Sequence, residues 1–95
     1  MIVSFRDARL AAIADGTVPK RFPPDLMRRT RNMLTVLDAA TSLDDLRLPP
    51  GNRLETLAGD RIGQHSVRVN RQWRICFRWT DAGPADVEFV DYHRG

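Results

Sequence analysis

Apolar residues follow two regimes along the chain: spacings of three and four in the first half, alternation in the second. Leu10, Ile13 and Ala14 share one side of a short helix expected over Asp7 to Ala14, with Gly16 as its stop. A connector from Thr17 to Phe22 contains Pro19. Pro23-Pro24-Asp25 then opens a longer helix, because proline suits a first turn and an acid there complements the helix dipole. Leu26, Thr30, Met33, Leu37 and Ala40 form its core stripe, with Leu34 flanking them. Arg28, Arg29, Arg31 and Asn32 fall largely on the other sides, and read as a solvated helix face or a partner surface rather than as an RNA site. Thr41-Ser42 caps one further turn, Leu43 to Leu46, before Leu48-Pro49-Pro50-Gly51-Asn52 ends the helical half.

Beyond that break the pattern predicts strands over Arg53 to Leu57, Gln64 to Val69, Trp73 to Trp79 and Val87 to Tyr92. Turns are expected at Gly59-Asp60, at Asn70-Arg71-Gln72 and over Asp81 to Ala85, which contains Gly83-Pro84. Ile2 to Phe5 reads as an edge strand. Helices first and a strand meander afterwards define an α+β fold. Its N-terminal helices pack on one face of a mainly antiparallel twisted β-sheet, in a single domain over residues 1–95.

Strand parity sorts the faces. Val67 and Val69 share theirs with His65, whereas Ser66, Arg68 and Asn70 share the other; Trp73, Ile75, Phe77 and Trp79 oppose Arg74, Cys76 and Arg78. Keeping like faces together sets Val69 opposite Trp73, Val67 opposite Ile75, Trp79 opposite Val87 and Phe77 opposite Phe89. On the polar face, Arg78 then meets Glu88, and Arg68, Arg74 and Tyr92 form a row. Directly opposed like charges destabilise a sheet. An anion over the row is evenly balanced against its absence, with the arginines either splayed into water or neutralised by an acid such as Asp60. His65, facing Phe77, reads as a satisfied core or edge histidine. Asp91, Tyr92 and His93 bring a carboxylate, a phenol and an imidazole to one strand end beside these guanidinium groups. Taken singly, His93 is an exposed tail residue and Asp91 a structural acceptor. Together with the arginines they suit proton transfer and phosphate recognition on RNA.

Charge refines this picture only slightly. Fifteen basic against twelve acidic residues give a net charge of +3, too little for a polycationic tail. Lys20 is the sole lysine, and arginine's rigid fork matches phosphate oxygens and stacks on bases. Cys76 is alone, which excludes an intramolecular disulfide and a cysteine zinc set. Two distant histidines and scattered acids give no metal site, and no cofactor is expected. The start, Met1 to Arg6, lacks the apolar run of a signal peptide, and no stretch approaches a membrane span. A cytoplasmic protein without membrane contact is expected.

Pro50-Gly51-Asn52-Arg53-Leu54-Glu55, Leu57-Ala58-Gly59-Asp60-Arg61 and Gln64-His65-Ser66-Val67-Arg68-Val69 follow one another here. With Gln72 to Phe77 and the terminal Val90-Asp91-Tyr92-His93, they resemble the HigB family of toxins. That family lies within the RelE/ParE group of bacterial toxin–antitoxin pairs. The likeness extends to Leu37-Asp38-Ala39-Ala40-Thr41, and so spans nearly the whole chain. It implies the fold derived above and ribosome-dependent, metal-independent cleavage of mRNA by attack of the 2′-hydroxyl on the adjacent phosphate. It also implies a HigA-like helix-turn-helix antitoxin, the 70S ribosome and mRNA as partners, and operator DNA bound only through the antitoxin. On the same basis Asp91, Tyr92 and His93 match the terminal catalytic motif, and Arg74 the phosphate-contacting arginine. His93 is then the proton donor or acceptor, Arg74 the phosphate stabiliser, Tyr92 a stacking or orienting group, and Asp91 a positioning group. Arg68, Arg61 and Arg71 are candidates for binding RNA.

One departure stands out. Where some family members carry histidine and lysine before the Gly59-Asp60 turn, this chain has Glu55 and Ala58. Ala58 can do no acid–base or phosphate work, so a slower nuclease is expected. Two other functions compete on the same fold: a ParE-like toxin that binds DNA gyrase without cleaving RNA, and a non-catalytic ribosome binder.

Overall fold

The computed structural model describes residues 1–91. Two helices, α1 (Ala8–Ala14) and α2 (Met27–Ala39), precede a four-stranded sheet. Its strands are β1 (Glu55–Thr56), β2 (Gln64–Arg68), β3 (Trp73–Thr80) and β4 (Gly83–Asp91). They lie in sequence order, each antiparallel to the next. This is the expected α+β arrangement.

Local chemistry explains the helix ends. The Asp7 carboxylate caps α1 by accepting from the Arg9 amide at 3.0 Å, and Gly16 leaves the helix at φ +92°. A 3-10 turn over Pro24–Leu26 leads into α2, where proline's missing donor would have had no partner in any case. Past α2, the Asp45 carboxylate accepts from the Thr41 amide, the Thr41 hydroxyl and the Ser42 amide at 2.9–3.2 Å. That contact fixes the 3-10 turn Leu43–Arg47.

Every residue of the predicted α2 stripe is buried: Leu26, Thr30, Met33, Leu37 and Ala40, with Leu34 beside them. They form one core with Leu10 and Ile13 of α1 and with Val67, Val69, Ile75, Phe77, Val87 and Phe89 of the sheet. Each such large side chain contributes about 1.5–3 kcal/mol through burial. Trp73 stacks parallel on Phe89 with centroids 4.4 Å apart, closing the core at the start of β3.

The β2–β3 register agrees with parity, with Val67 opposite Ile75 and Arg68 opposite Arg74. The β3–β4 register does not. Ile75, not Phe77, lies opposite Phe89; Trp79 lies opposite Pro84 rather than Val87; and Arg74 faces Val90 rather than Tyr92. Two causes combine. The turn is tighter than expected, so β4 starts at Gly83, ahead of the expected Val87. A bulge then sets Asp86 and Val87 against Phe77, with Asp86 left-handed at φ +54°. The expected Arg78–Glu88 pair is therefore replaced by Arg78–Asp86 at 2.7 Å, and Glu88 turns to Arg61.

Pro84 sits within β4 without harm. Its carbonyl accepts from Val3 at 2.7 Å, so its missing donor points away from β3. The expected edge strand appears as an extended N-terminal segment running parallel to β4 through a single Phe5–Val87 bridge. It covers what would be an open edge. Gly83 is required there, because a Cβ would lie 2.1 Å from the Met1 carbonyl oxygen and φ is +130°.

Candidate functional site

The helices cover one face of the sheet. On the other face, β2 and β3 bring Ser66 opposite Cys76 and Arg68 opposite Arg74, while Cys76 is opposite Glu88 and Arg74 opposite Val90 on β4. Parity predicted a polar face here. In fact Ser66 and Cys76 are fully buried and Arg74 is only 8% exposed.

Arg74 owes its position to partners on β2, on β1 and in the loop before it. Its Nε donates to Ser66 Oγ at 2.7 Å, and its Nη2 donates to the Arg53 carbonyl and lies 3.6 Å from Glu55 Oε1. The carbonyl is available because Arg53 is left-handed at φ +49°, an uncommon conformation for a bulky side chain. That kink also stops β1 from extending over the expected Arg53 to Leu57. Behind it, Asn52 is buried and donates to the Leu46 and Leu48 carbonyls, which anchors the loop. A guanidinium fixed in this way presents a preorganised cation.

Above Arg74 opens a depression of about 320 Å³, lined by Arg53, Glu55, Arg68, Asn70, Arg71 and Arg74. Arg68 donates to the Asn70 carbonyl at 3.2 Å, and Asn70 Oδ1 accepts from the Gln72 and Trp73 amides. The turn carrying Arg71 is therefore held by side-chain contacts. Of the explanations for the arginine row, neutralisation by an acid holds for Arg74, whose carboxylate partner is Glu55 and not Asp60. Among the described residues the one carboxylate lining this depression is Glu55, 56% exposed at its side chain.

The sequence-derived candidates divide as follows. Arg74, Arg68 and Arg71 come together in the depression. Arg61 is engaged elsewhere, donating to Glu88 at 2.6 Å and to Gln64 at 2.9 Å. Asp91 ends β4 opposite Trp73 and accepts from Gln72 Nε2 at 3.1 Å. Tyr92 and His93 lie outside the described residues. Glu55 and Arg53 were not recognised as members of the site, because the contact depends on the Arg53 backbone kink. Ala58 is exposed at the start of the Gly59–Arg61 turn. His65 is satisfied, as expected: half-buried on the interior strand β2, 3.1 Å from Thr56 Oγ1, with burial lowering its pKa.

Among the described residues no His, Cys, Asp and Glu cluster could hold a metal ion, and no helix is long and apolar enough to cross a membrane. The chemistry available in the depression is thus anion binding by guanidinium groups, beside one exposed carboxylate.

The fold is similar to the crystal structure of a YafQ mutant from E. coli, with a TM-score of 0.67 at 18% identity over 96% of this chain and 91% of that one. Residues 3–93 match the family described as RelE-like toxin of type II toxin–antitoxin system HigB. The chain is 38% identical over 95 residues to Toxin HigB-1 of Vibrio cholerae serotype O1, covering 99% of both. It is 30% identical over 93 residues to Endoribonuclease HigB of Proteus vulgaris, covering 98% of this chain and all of that protein. The chain belongs to the HigB family of RelE-like toxins of type II toxin–antitoxin systems. Membership of such a system implies an antitoxin partner.

Proposed function

We propose that this toxin cleaves mRNA on translating ribosomes, without a metal, and that a HigA-like helix-turn-helix antitoxin holds it inactive. The observation that carries this reading is Arg74, buried and fixed at the floor of an arginine-lined depression beside the exposed carboxylate of Glu55. In this mechanism the RNA 2′-hydroxyl attacks the adjacent phosphorus. Glu55 takes the hydroxyl proton, and His93 protonates the departing 5′-oxygen. The products are a 2′,3′-cyclic phosphate and a 5′-hydroxyl end. Arg74 stabilises the charge that builds on the non-bridging oxygens, the role that metal ions play elsewhere, and Arg68 helps by binding the phosphate. Tyr92 stacks on or orients the codon, and Asp91 positions the strand end.

Positioned acid–base groups typically contribute about 10²–10⁴-fold each. Ala58 supplies nothing of this kind, which supports a turnover below that of relatives with a full set. Work on ribosomes sets the site of action in the cytoplasm, and contact with operator DNA runs through the antitoxin.

Primer extension on a defined mRNA in a cell-free translation reaction tests the reading. New 5′ ends at A-site codons, absent without ribosomes, are expected. Intact mRNA in the presence of protein that still binds its antitoxin would sink it, and would redirect attention to gyrase or to ribosome binding without cleavage.

A further inference from the structure

Among the described residues, five arginines have carboxylate partners: Arg9, Arg47, Arg61, Arg74 and Arg78. Arg29, Arg53, Arg68 and Arg71 have none among the described residues, and these four converge. With Gly51 and Asn70 they line a second depression of about 390 Å³ that contains no acidic residue among those described. Arg53, Arg68, Asn70 and Arg71 also line the first depression, so the two are continuous. The division of chemistry is sharp. Glu55 and Arg74 belong to the first depression, whereas the only side chain that the second adds is Arg29 from α2.

Concentrating four like charges opposes folding unless a counter-charge is bound there in use. The framework is also held in place rather than merely basic. Arg53 is kept left-handed with its carbonyl on Arg74, and the Asn70 turn fixes Arg68 and Arg71. Backbone strain of this sort persists where the surroundings over-determine it.

We propose that this second depression is a phosphate subsite that grips the RNA backbone immediately beside the phosphate being cleaved, on the same strand. The assignment rests on the nuclease reading for the meaning of the first depression. Arg29 is its diagnostic member, because it lines the second depression and not the first. The continuity of the lining favours one strand crossing both depressions over a separate segment of ribosomal RNA.

The test uses a short 2′-O-methyl RNA oligonucleotide, which cannot undergo 2′-hydroxyl attack, with anisotropy measured across a salt series. Arg29→Gln preserves helix propensity, and Arg53→Asn tolerates the left-handed backbone. Each is expected to weaken binding about tenfold at low salt and to lower the salt slope by about 0.7. Arg28→Gln, one residue away and outside the lining, controls for bulk charge and should leave the slope unchanged. Variants that keep wild-type affinity and slope overturn the subsite. Variants that bind the oligonucleotide normally but lose affinity for vacant ribosomes overturn the single-strand assignment in favour of ribosomal RNA. Cleavage by the wild type in the translation reaction is read separately, so failure of the nuclease reading is distinguishable from failure of the subsite.

Discussion

Arg68 and Arg74 stand directly opposite each other across β2 and β3, yet one is half-buried and the other buried. The difference lies in their partners. Arg74 satisfies Ser66 Oγ and the Arg53 carbonyl from within the sheet, whereas Arg68 reaches the Asn70 carbonyl on its own turn. The pair therefore separates fixed electrostatics from adaptable binding.

Arg74→Ala should lose stability by about 1–3 kcal/mol, because it strands buried acceptors, and lose cleavage by at least about 10²-fold. Arg68→Ala should change stability by less than about 0.5 kcal/mol and act mainly on KM. Urea denaturation and single-turnover cleavage measure the two effects. Equal destabilisation by both substitutions would contradict the division of roles.

Glu55 is the carboxylate beside Arg74, and it is exposed enough to be changed without disturbing the core. Glu55→Gln should slow cleavage by about 10²-fold, while the urea midpoint stays in place. Wild-type cleavage by the Glu55→Gln variant would remove Glu55 from the chemistry.

What the sequence made legible followed period and punctuation. Helix stripes, the stop at Gly16 and the β2–β3 register rest on residues whose neighbours in sequence decide their conformation. The β3–β4 register escaped because a left-handed Asp86 has no sequence signature that separates a bulge from an ordinary strand position. The same limit hid the site. Arg53 reads as the start of a strand, and its kink is visible only once Arg74 is seen donating to its carbonyl. Arg29 looked like solvated helix surface because periodicity describes one element at a time, whereas the second depression is built from α2, a loop, β2 and the bend after it.

Asp7 joins the two halves of the fold. It caps α1, takes a bidentate pair from Arg9, and accepts from the Phe89 amide of β4 at 3.1 Å. Burial alone would raise its pKa, but the Arg9 guanidinium and the Phe89 and Arg9 amides outweigh it, and the net shift is downward. A depressed carboxylate stabilises the fold above its unfolded pKa of about 3.9. That contribution disappears as pH falls through the lower folded-state value. Asp7→Asn should therefore destabilise the protein by about 1–2 kcal/mol at neutral pH, and the gap from wild type should close in strong acid. A gap independent of pH, read from urea midpoints, would assign the effect to shape rather than charge.

Thr30 is a residue whose side chain works against the core it occupies. It lies within the buried α2 stripe at 0% exposure, and its hydroxyl has no hydrogen-bond partner among the described residues. A buried, unpaired hydroxyl carries a desolvation penalty of about 1–3 kcal/mol, whereas valine fills nearly the same volume with similar helix propensity. Thr30→Val should accordingly stabilise the protein by about 1 kcal/mol. Thr30→Ser keeps the hydroxyl and removes a methyl group, and should destabilise by about 1 kcal/mol. Because Thr30 belongs to the buried stripe and does not line the arginine depression, cleavage should be the same in both variants. Destabilisation by Thr30→Val in a urea titration would mean that the hydroxyl gains a partner in solution, most directly a carbonyl one turn earlier in the helix.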